Sequence, residues 1–320
     1  MEPIVVSVIC NTHNHEDYIA KSLESLLMQK VNFRYEILLH DDASEDNTAN
    51  IVREYEKKYP DIIKPIYQTE NQYTKGLGIS SRFQYCRVQG KYVAFCEGDD
   101  YWTDPLKLQK QYDYLETHPN IDMCVHGAVA VDQKTEKILS KIAPSKKSRI
   151  MPMEEVIMGD GVYVVSNSMF FRADVIKGEL PEFWKQFRYQ FCIKLKAAIR
   201  GGIYYMSDIM SAYRLQAKGS WTSKMKKDPQ KWYDFHEKKR NMFKLLDEYT
   251  DYKYTETIQE KINLDKVYLL WQTGQYKKVL VKENKKYFKK FPIKTRILCY
   301  VNVYMPWLKS FYKKVRRKGK

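Results

Sequence analysis

Glu97, Asp99 and Asp100 place three carboxylates within four positions, directly after the apolar run Tyr92-Val93-Ala94-Phe95-Cys96 and just before Tyr101-Trp102. Carboxylates so crowded repel one another unless something positive is shared between them, and a hard divalent ion carrying a ligand's phosphates meets that need. An acidic surface turn is the competing reading of the same residues. Two more polar segments follow apolar runs in the same way. Asn11-Thr12-His13-Asn14 comes after Val5-Val6-Ser7-Val8-Ile9-Cys10, and Asp41-Asp42-Ala43-Ser44 comes after Tyr35-Glu36-Ile37-Leu38-Leu39-His40. For Asp42 the alternative is a helix cap, because an acid there favours the N-terminus of a following helix.

The elements that must position these segments are legible as a change of period. Short β-rich runs at 5–10, 35–40, 64–68 and 92–96 alternate with stretches of helical spacing at 18–29, 47–59, 79–88 and 105–117. The alternation predicts an α/β fold, with a mostly parallel sheet between layers of helices. Ligands of such sheets lie beyond the carboxyl ends of the strands, and all three polar segments fall there. Together they describe a pocket for something polar and phosphorylated. Farther on come an apolar stretch at 123–131, a strand at 137–142 and an apolar run at 168–171. A helix over 183–200 stopped by Gly201-Gly202 follows, then strands at 203–206 and 209–214. After Gly219-Ser220 the composition shifts to Lys, Tyr and helix formers, with helices expected at 229–249, 257–271 and 276–288. The expected organisation is one domain over 1–220 and a helical region with a basic tail over 221–320.

An apolar share of 44% and 14% aromatics over 320 residues suffice to bury a core, which excludes a disordered chain. The formal net charge is +16, but it is unevenly spread. Residues 282–320 hold 14 Lys and Arg against the single acid Glu283, a charge of +13, which leaves +3 on residues 1–281. No RNA-binding or helix-turn-helix signature accompanies that charge, so nucleic acid is not the expected partner. The tail interleaves its bases with Phe288, Phe291, Tyr300, Tyr304 and Trp307, a pattern suited to lying on anionic lipid headgroups. A packed helix with a solvated basic face is the alternative. The six cysteines form no CxxC pair and several sit in apolar runs, as expected of a reducing compartment. The start of the chain lacks the features of a signal peptide, and the longest nearly uncharged stretch, 297–308, is too short to span a bilayer. The expected location is the cytoplasm, with peripheral contact at the inner face of the membrane.

Three blocks carry a family resemblance. They are Val6-Ser7-Val8-Ile9-Cys10-Asn11-Thr12-His13-Asn14, Glu36-Ile37-Leu38-Leu39-His40-Asp41-Asp42-Ala43-Ser44-Glu45-Asp46-Asn47-Thr48, and the segment from Gly90 to Trp102 with its acids. In this order and spacing the chain resembles the family 2 glycosyltransferases, over roughly residues 4–222. The resemblance implies a GT-A fold, a nucleotide-sugar donor, a divalent metal such as manganese or magnesium, and inversion at the anomeric carbon. It also implies a saccharide or lipid-linked acceptor and a place in the synthesis of a bacterial cell-surface polysaccharide. By the same resemblance His13 lies against the nucleotide base with Asn11 beside it, and Asp42 accepts the base's ring N–H, commonly from uracil. Glu97 is directed to the ribose or the metal, Asp99 is the leading metal ligand with Asp100 next to it, and Asn71 and Arg82 approach the donor. Tyr101 and Trp102 line the sugar pocket or anchor the loop, with the anchor favoured for Trp102. His126 reads as a core histidine.

The second half departs from the family pattern twice. Aligned through the segment from Ile203 to Arg214, the position of the general base falls on Gln190, and glutamine cannot take a proton from the acceptor hydroxyl. Where relatives often carry His after the Tyr-Arg pair, this chain has Gln216. Either the alignment slips by a few residues, or another acid such as Glu182 or Asp208 substitutes, or transfer is weak or absent. The last of these describes a donor-binding partner subunit.

Overall fold

Strands that are apolar on both faces need cover on both sides. The computed structural model, which describes residues 2–75, 78–159, 163–187, 189–215, 228–305 and 307, provides it for the first strand. β1 (Ile4–Thr12) is buried without interruption from Val6 to Cys10. It pairs in parallel with β2 (Arg34–Asp41) on one side, outside which lies β3 (Ile63–Tyr67), and with β4 (Tyr92–Phe95) on the other. Helices α1 (Ile19–Leu27), α2 (Thr48–Lys58) and α3 (Lys107–Thr117) contribute Leu23, Leu26, Val52, Leu108 and Leu115 to the core formed with Val6, Val8, Ile37, Leu39 and Ala94. The turn before β4 can approach β1 because residue 90 is glycine. A Cβ there would stand 2.7 Å from the Ser7 nitrogen and 2.9 Å from the Val5 oxygen. The Gly90 N–H donates to Ser7 Oγ, which in turn donates to Glu36 Oε1 at 2.6 Å, so the one polar group in the middle of β1 is satisfied.

The sheet is mixed rather than mostly parallel. Eight of its ten described strands run in the order β3-β2-β1-β4-β9-β6-β10-β5, where β5 is Tyr101–Trp102, β6 Met123–Asp132, β9 Phe170–Arg172 and β10 Ile203–Leu215. β7 (Ile138–Ile142) joins β6, and β8 (Arg149–Met151) joins β10. Pairing is parallel within β3-β2-β1-β4 and between β6 and β10, and antiparallel wherever β5, β7, β8 or β9 takes part. A parallel partner requires a crossover connection, whereas β7 follows β6 through a tight turn and so must run back along it.

Three expected elements are corrected. The two strands at 203–206 and 209–214 are one strand, β10, whose register against β6 shifts on either side of Ile209 so that Ser207 and Asp208 bulge out of the ladder. The single helix over 183–200 is two, α5 (Glu182–Gln186) and α6 (Gln190–Gly201), after the short α4 (Met153–Met158), and Gln190 therefore opens α6. The stretch 79–88 is a π-helical turn, Ser80–Gln84, running into a 3-10 turn, Tyr85–Arg87.

The chain divides into two compact units, Met1–Lys224 and Met225–Lys320. The second unit contains helices Pro229–Tyr249 and Thr255–Gln272, followed by Tyr276–Val279, Lys285–Phe288 and Ile293–Tyr304, so the helix expected over 276–288 is broken. Its core gathers Val267, Val279, Tyr287, Phe288, Phe291 and Cys299. Beside that core Asp265 accepts from Lys239 at 2.8 Å and Lys261 at 3.0 Å. Among the described residues no helix is long and apolar enough to cross a membrane, and all six cysteines are free thiols.

Candidate functional site

The loops that leave β1 and β2 are laced to each other. Asn14 N–H donates to Ser44 Oγ at 2.9 Å and Glu45 N–H to Asn14 Oδ1 at 2.8 Å, while His15 N–H donates to Thr48 Oγ1 at 2.8 Å. Asn14 and Ala43 both adopt left-handed backbone, at φ of 56° and 58°. A left-handed alanine persists only where its surroundings fix it, and here the cross-loop bonds do so. The result is a cleft of about 550 Å³ lined by His13, Ala43, Ser44, Gln68, Asn71 and Thr74, among others.

Asp42 sits at the floor of this region, buried, and its carboxylate has partners already. Oδ1 accepts the Gln72 N–H at 2.8 Å and Oδ2 the Tyr73 N–H at 3.0 Å. Asp42 thus caps the 3-10 turn Tyr73–Lys75 and not α2, whose first N–H, that of Thr48, is accepted by Asp46 Oδ1. The Asp42 carbonyl accepts from Asn71 Nδ2 at 3.3 Å and lies 3.0 Å from His13 Nδ1. His13, Asp42 and Asn71 are therefore brought together. Arg82 is not brought to them by any hydrogen bond among the described residues; it is exposed, with its guanidinium 5.0 Å from the Phe83 ring centre.

The three acids have three different surroundings. Asp100 is 2% exposed, accepts the Arg214 N–H on Oδ1 and Asn167 Nδ2 on Oδ2, both at 3.0 Å, and has its pKa raised by burial and by Asp99. Glu97 accepts the Asn11 N–H at 3.2 Å and Gln190 Nε2 at 2.7 Å, and burial together with Asp99 pushes its carboxyl up to about 7. Asp99 makes no side-chain hydrogen bond among the described residues; its carbonyl accepts from Arg214 Nη1 at 2.6 Å. Gly98 between them fits against Thr12 so tightly that a Cβ would stand 2.7 Å from Thr12 Oγ1 and 3.1 Å from His15 Nδ1. Around this turn Asn11 Oδ1, Thr12 Oγ1 and His15 Nδ1 are buried without hydrogen-bond partners.

That chemistry fits a divalent cation shared with a ligand. Among the described residues no three His, Cys, Asp or Glu side chains form a closed cage. Manganese and magnesium at phosphate sites, however, are held by one or two carboxylates with the substrate's oxygens completing the shell. Glu97 and Asp99 supply two hard oxygen donors whose mutual repulsion a cation would relieve. Asp100 does not belong to that pair, since its oxygens face Arg214 and Asn167.

Several residues important here were not singled out by sequence reasoning. Arg214, 3% exposed, joins Asp99 and Asp100 to Glu136 on the β6–β7 turn, at 2.7 Å, and its guanidinium stands 4.7 Å from the Tyr101 ring centre. Asn167 ties Asp100 to the Ala212 carbonyl and to Ser211 Oγ. The available signal was a lone arginine closing the largely apolar strand at 209–215. Trp102 is the anchor expected of it, donating from its indole N–H to the Asn167 carbonyl at 2.9 Å. His126 is buried, pairs through Nδ1 with the Gly127 carbonyl, and is held well below the usual imidazole range by burial.

The sequence description "Glycosyl transferase family 2" matches residues 7–178, more than half of the chain. The chain belongs to this family. Among its relatives, an uncharacterized protein of Mycobacterium tuberculosis is 30% identical over 220 residues, which are 68% of this chain and 61% of that protein. The chain thus spans less than two thirds of that relative. The UDP-Glc:alpha-D-GlcNAc-diphosphoundecaprenol beta-1,3-glucosyltransferase WfaP of Escherichia coli is 32% identical over 113 residues, 35% of this chain and 42% of WfaP. Among solved structures, S. aureus TarS 1–349 in complex with UDP-GlcNAc matches with a TM-score of 0.60 at 18% identity, over 93% of this chain and 80% of that one. This likeness is one of fold, and the fold is GT-A: a mixed sheet with helices on its faces and the acid turn at a strand end.

Within this family member, the position expected for the base lies inside the site. Gln190, first residue of α6, donates to Glu97, the first acid of the turn. Glu182 and Asp208 are engaged at the surface instead, Glu182 with Gln186 and Asp208 with Lys110. Gln216 lies outside the described residues.

Proposed function

We propose that this family 2 glycosyltransferase moves a sugar from a nucleotide-sugar donor to a saccharide or lipid-linked acceptor, with inversion at the anomeric carbon, in building a cell-surface polysaccharide. The observation that carries the reading is the convergence of Asn11 and His13, Asp42 and Asn71, and Glu97 and Asp99 at or beyond the carboxyl ends of β1, β2, β3 and β4. The cleft at His13, Ser44 and Asn71 takes the nucleotide, and the complex of TarS with UDP-GlcNAc supports a uridine donor. Asn71 and His13 offer a face for the base. Asp42 acts by holding the turn that carries Tyr73, because its own oxygens are engaged. Asp99, with Glu97 beside it, would hold the divalent ion. Such an ion neutralises a diphosphate leaving group as the glycosidic bond breaks.

A second reading, a donor-binding partner subunit without transfer, is favoured by one contact. Where the family's base would stand, Gln190 presents an amide N–H to Glu97. A thermal-shift screen of nucleotide diphosphates and nucleotide sugars, with and without manganese, tests the shared donor site. Stabilisation by uridine compounds, larger with the metal, is expected from ligand linkage, and no shift with any nucleotide would overturn both readings. Transfer assays then separate the two: product from the native chain supports the enzyme, whereas activity that appears only in Gln190→Asp supports the partner subunit.

A further inference from the structure

The helix Ile293–Tyr304 turns an apolar face outward. At about 100° per residue, Ile293, Ile297, Tyr300 and Tyr304 share one side of the helix. All four are exposed, Ile293 by 65% and Tyr304 by 68%. Cys299, on another side, is buried in the core of this unit. Lys294 is the one charge among the helix's exposed residues. The solvated basic face expected of an ordinary packed helix is therefore absent, and its place is taken by aliphatic and aromatic side chains.

Cations adjoin this helix in the chain. Lys285, Lys286, Lys289 and Lys290 are exposed just before it, and the sequence after Trp307 carries seven more Lys and Arg within residues 309–320. An exposed apolar stripe flanked in sequence by so much positive charge matches the headgroup region of an anionic bilayer, where apolar side chains sink below the phosphates and lysines meet them. A nucleic acid would answer the charge and leave the stripe in water. A second copy of the chain would cover the stripe at the cost of bringing a region of charge +13 against its like. We infer that Ile293–Tyr304 is a membrane-surface helix that lies in the plane of an anionic lipid bilayer. With 12 residues it is too short to cross one.

Flotation of the full chain with phosphatidylcholine vesicles, with and without phosphatidylglycerol, tests this, alongside the double variant Ile297→Glu, Tyr304→Glu. Both side chains are exposed, so the variant should keep its circular dichroism and melting midpoint. The expected result is binding at least about tenfold tighter to the anionic vesicles, weakened by salt and reduced about tenfold or more in the variant. Equal binding to both vesicle types, retention of binding by the variant, or binding to a DNA duplex with none to vesicles overturns the inference. None of these outcomes touches the donor site, whose thermal shift is a separate measurement.

Discussion

The proposed reading gives the neighbours Asp99 and Asp100 different duties, and substitution separates them. Removing the Asp100 carboxylate leaves the buried Arg214 N–H and Asn167 Nδ2 each without an acceptor. A buried donor left unsatisfied costs about 1–3 kcal/mol, and here there are two. Asp100→Ala is therefore expected to lower the urea midpoint strongly, while Asp99→Ala leaves it nearly unchanged and abolishes the manganese-dependent part of the donor shift. Equal destabilisation by both would contradict the division of roles. Gly98 gives a third test at this scale. An added methyl group would stand 2.7 Å from Thr12 Oγ1 and 2.8 Å from Thr12 Cβ, and overpacking of this kind costs about 1–3 kcal/mol. Gly98→Ala should lower both the melting midpoint and donor affinity, because the turn carrying Glu97 and Asp99 must move away from β1.

At the scale of elements, α3 carries a buried cation that makes stability depend on pH. Lys107 donates to Gln111 Oε1 at 2.7 Å and lies 4.0 Å from the Trp102 ring centre, and burial pushes its ammonium down from 10.5 to about 7. Between those values the unfolded chain holds a proton that the folded chain does not, so stability rises with pH across this window and is lost as pH falls toward 7. Lys107→Met removes that slope. The gap in melting midpoint between variant and native protein should widen as pH is lowered from about 10 to about 7, corresponding to a few kcal/mol in all, and a gap constant with pH would refute it. α3 itself was plain in the sequence, as were β1 to β4, because long runs with one period report their own burial. Short strands such as Tyr101–Trp102 and Arg149–Met151 were not legible, since two or three residues have no period and are made strands by their partners. The same limit applies to the site. The acid triplet was visible by composition, but that Asp100 faces inward depends on Arg214, more than a hundred positions later in the chain.

For the whole molecule, charge and chemistry reside in different places. Every residue assigned to the donor site lies within Met1–Lys224, which carries Asn11, His13, Asp42, Asn71, Glu97, Asp99 and Gln190. The stripe from Ile293 to Tyr304 and the cations around it lie within Met225–Lys320. Ligand linkage makes the donor-induced gain in stability a function of donor concentration and affinity alone, whatever the starting stability of the fold. A chain ending at Lys224 is thus expected to keep a metal-dependent stabilisation by donor equal to that of the full chain at the same donor concentration, while losing flotation with anionic vesicles. Loss of the donor response in the shortened chain would mean that the second unit completes the site. Retention of vesicle binding would mean that the basic end is not what meets the membrane.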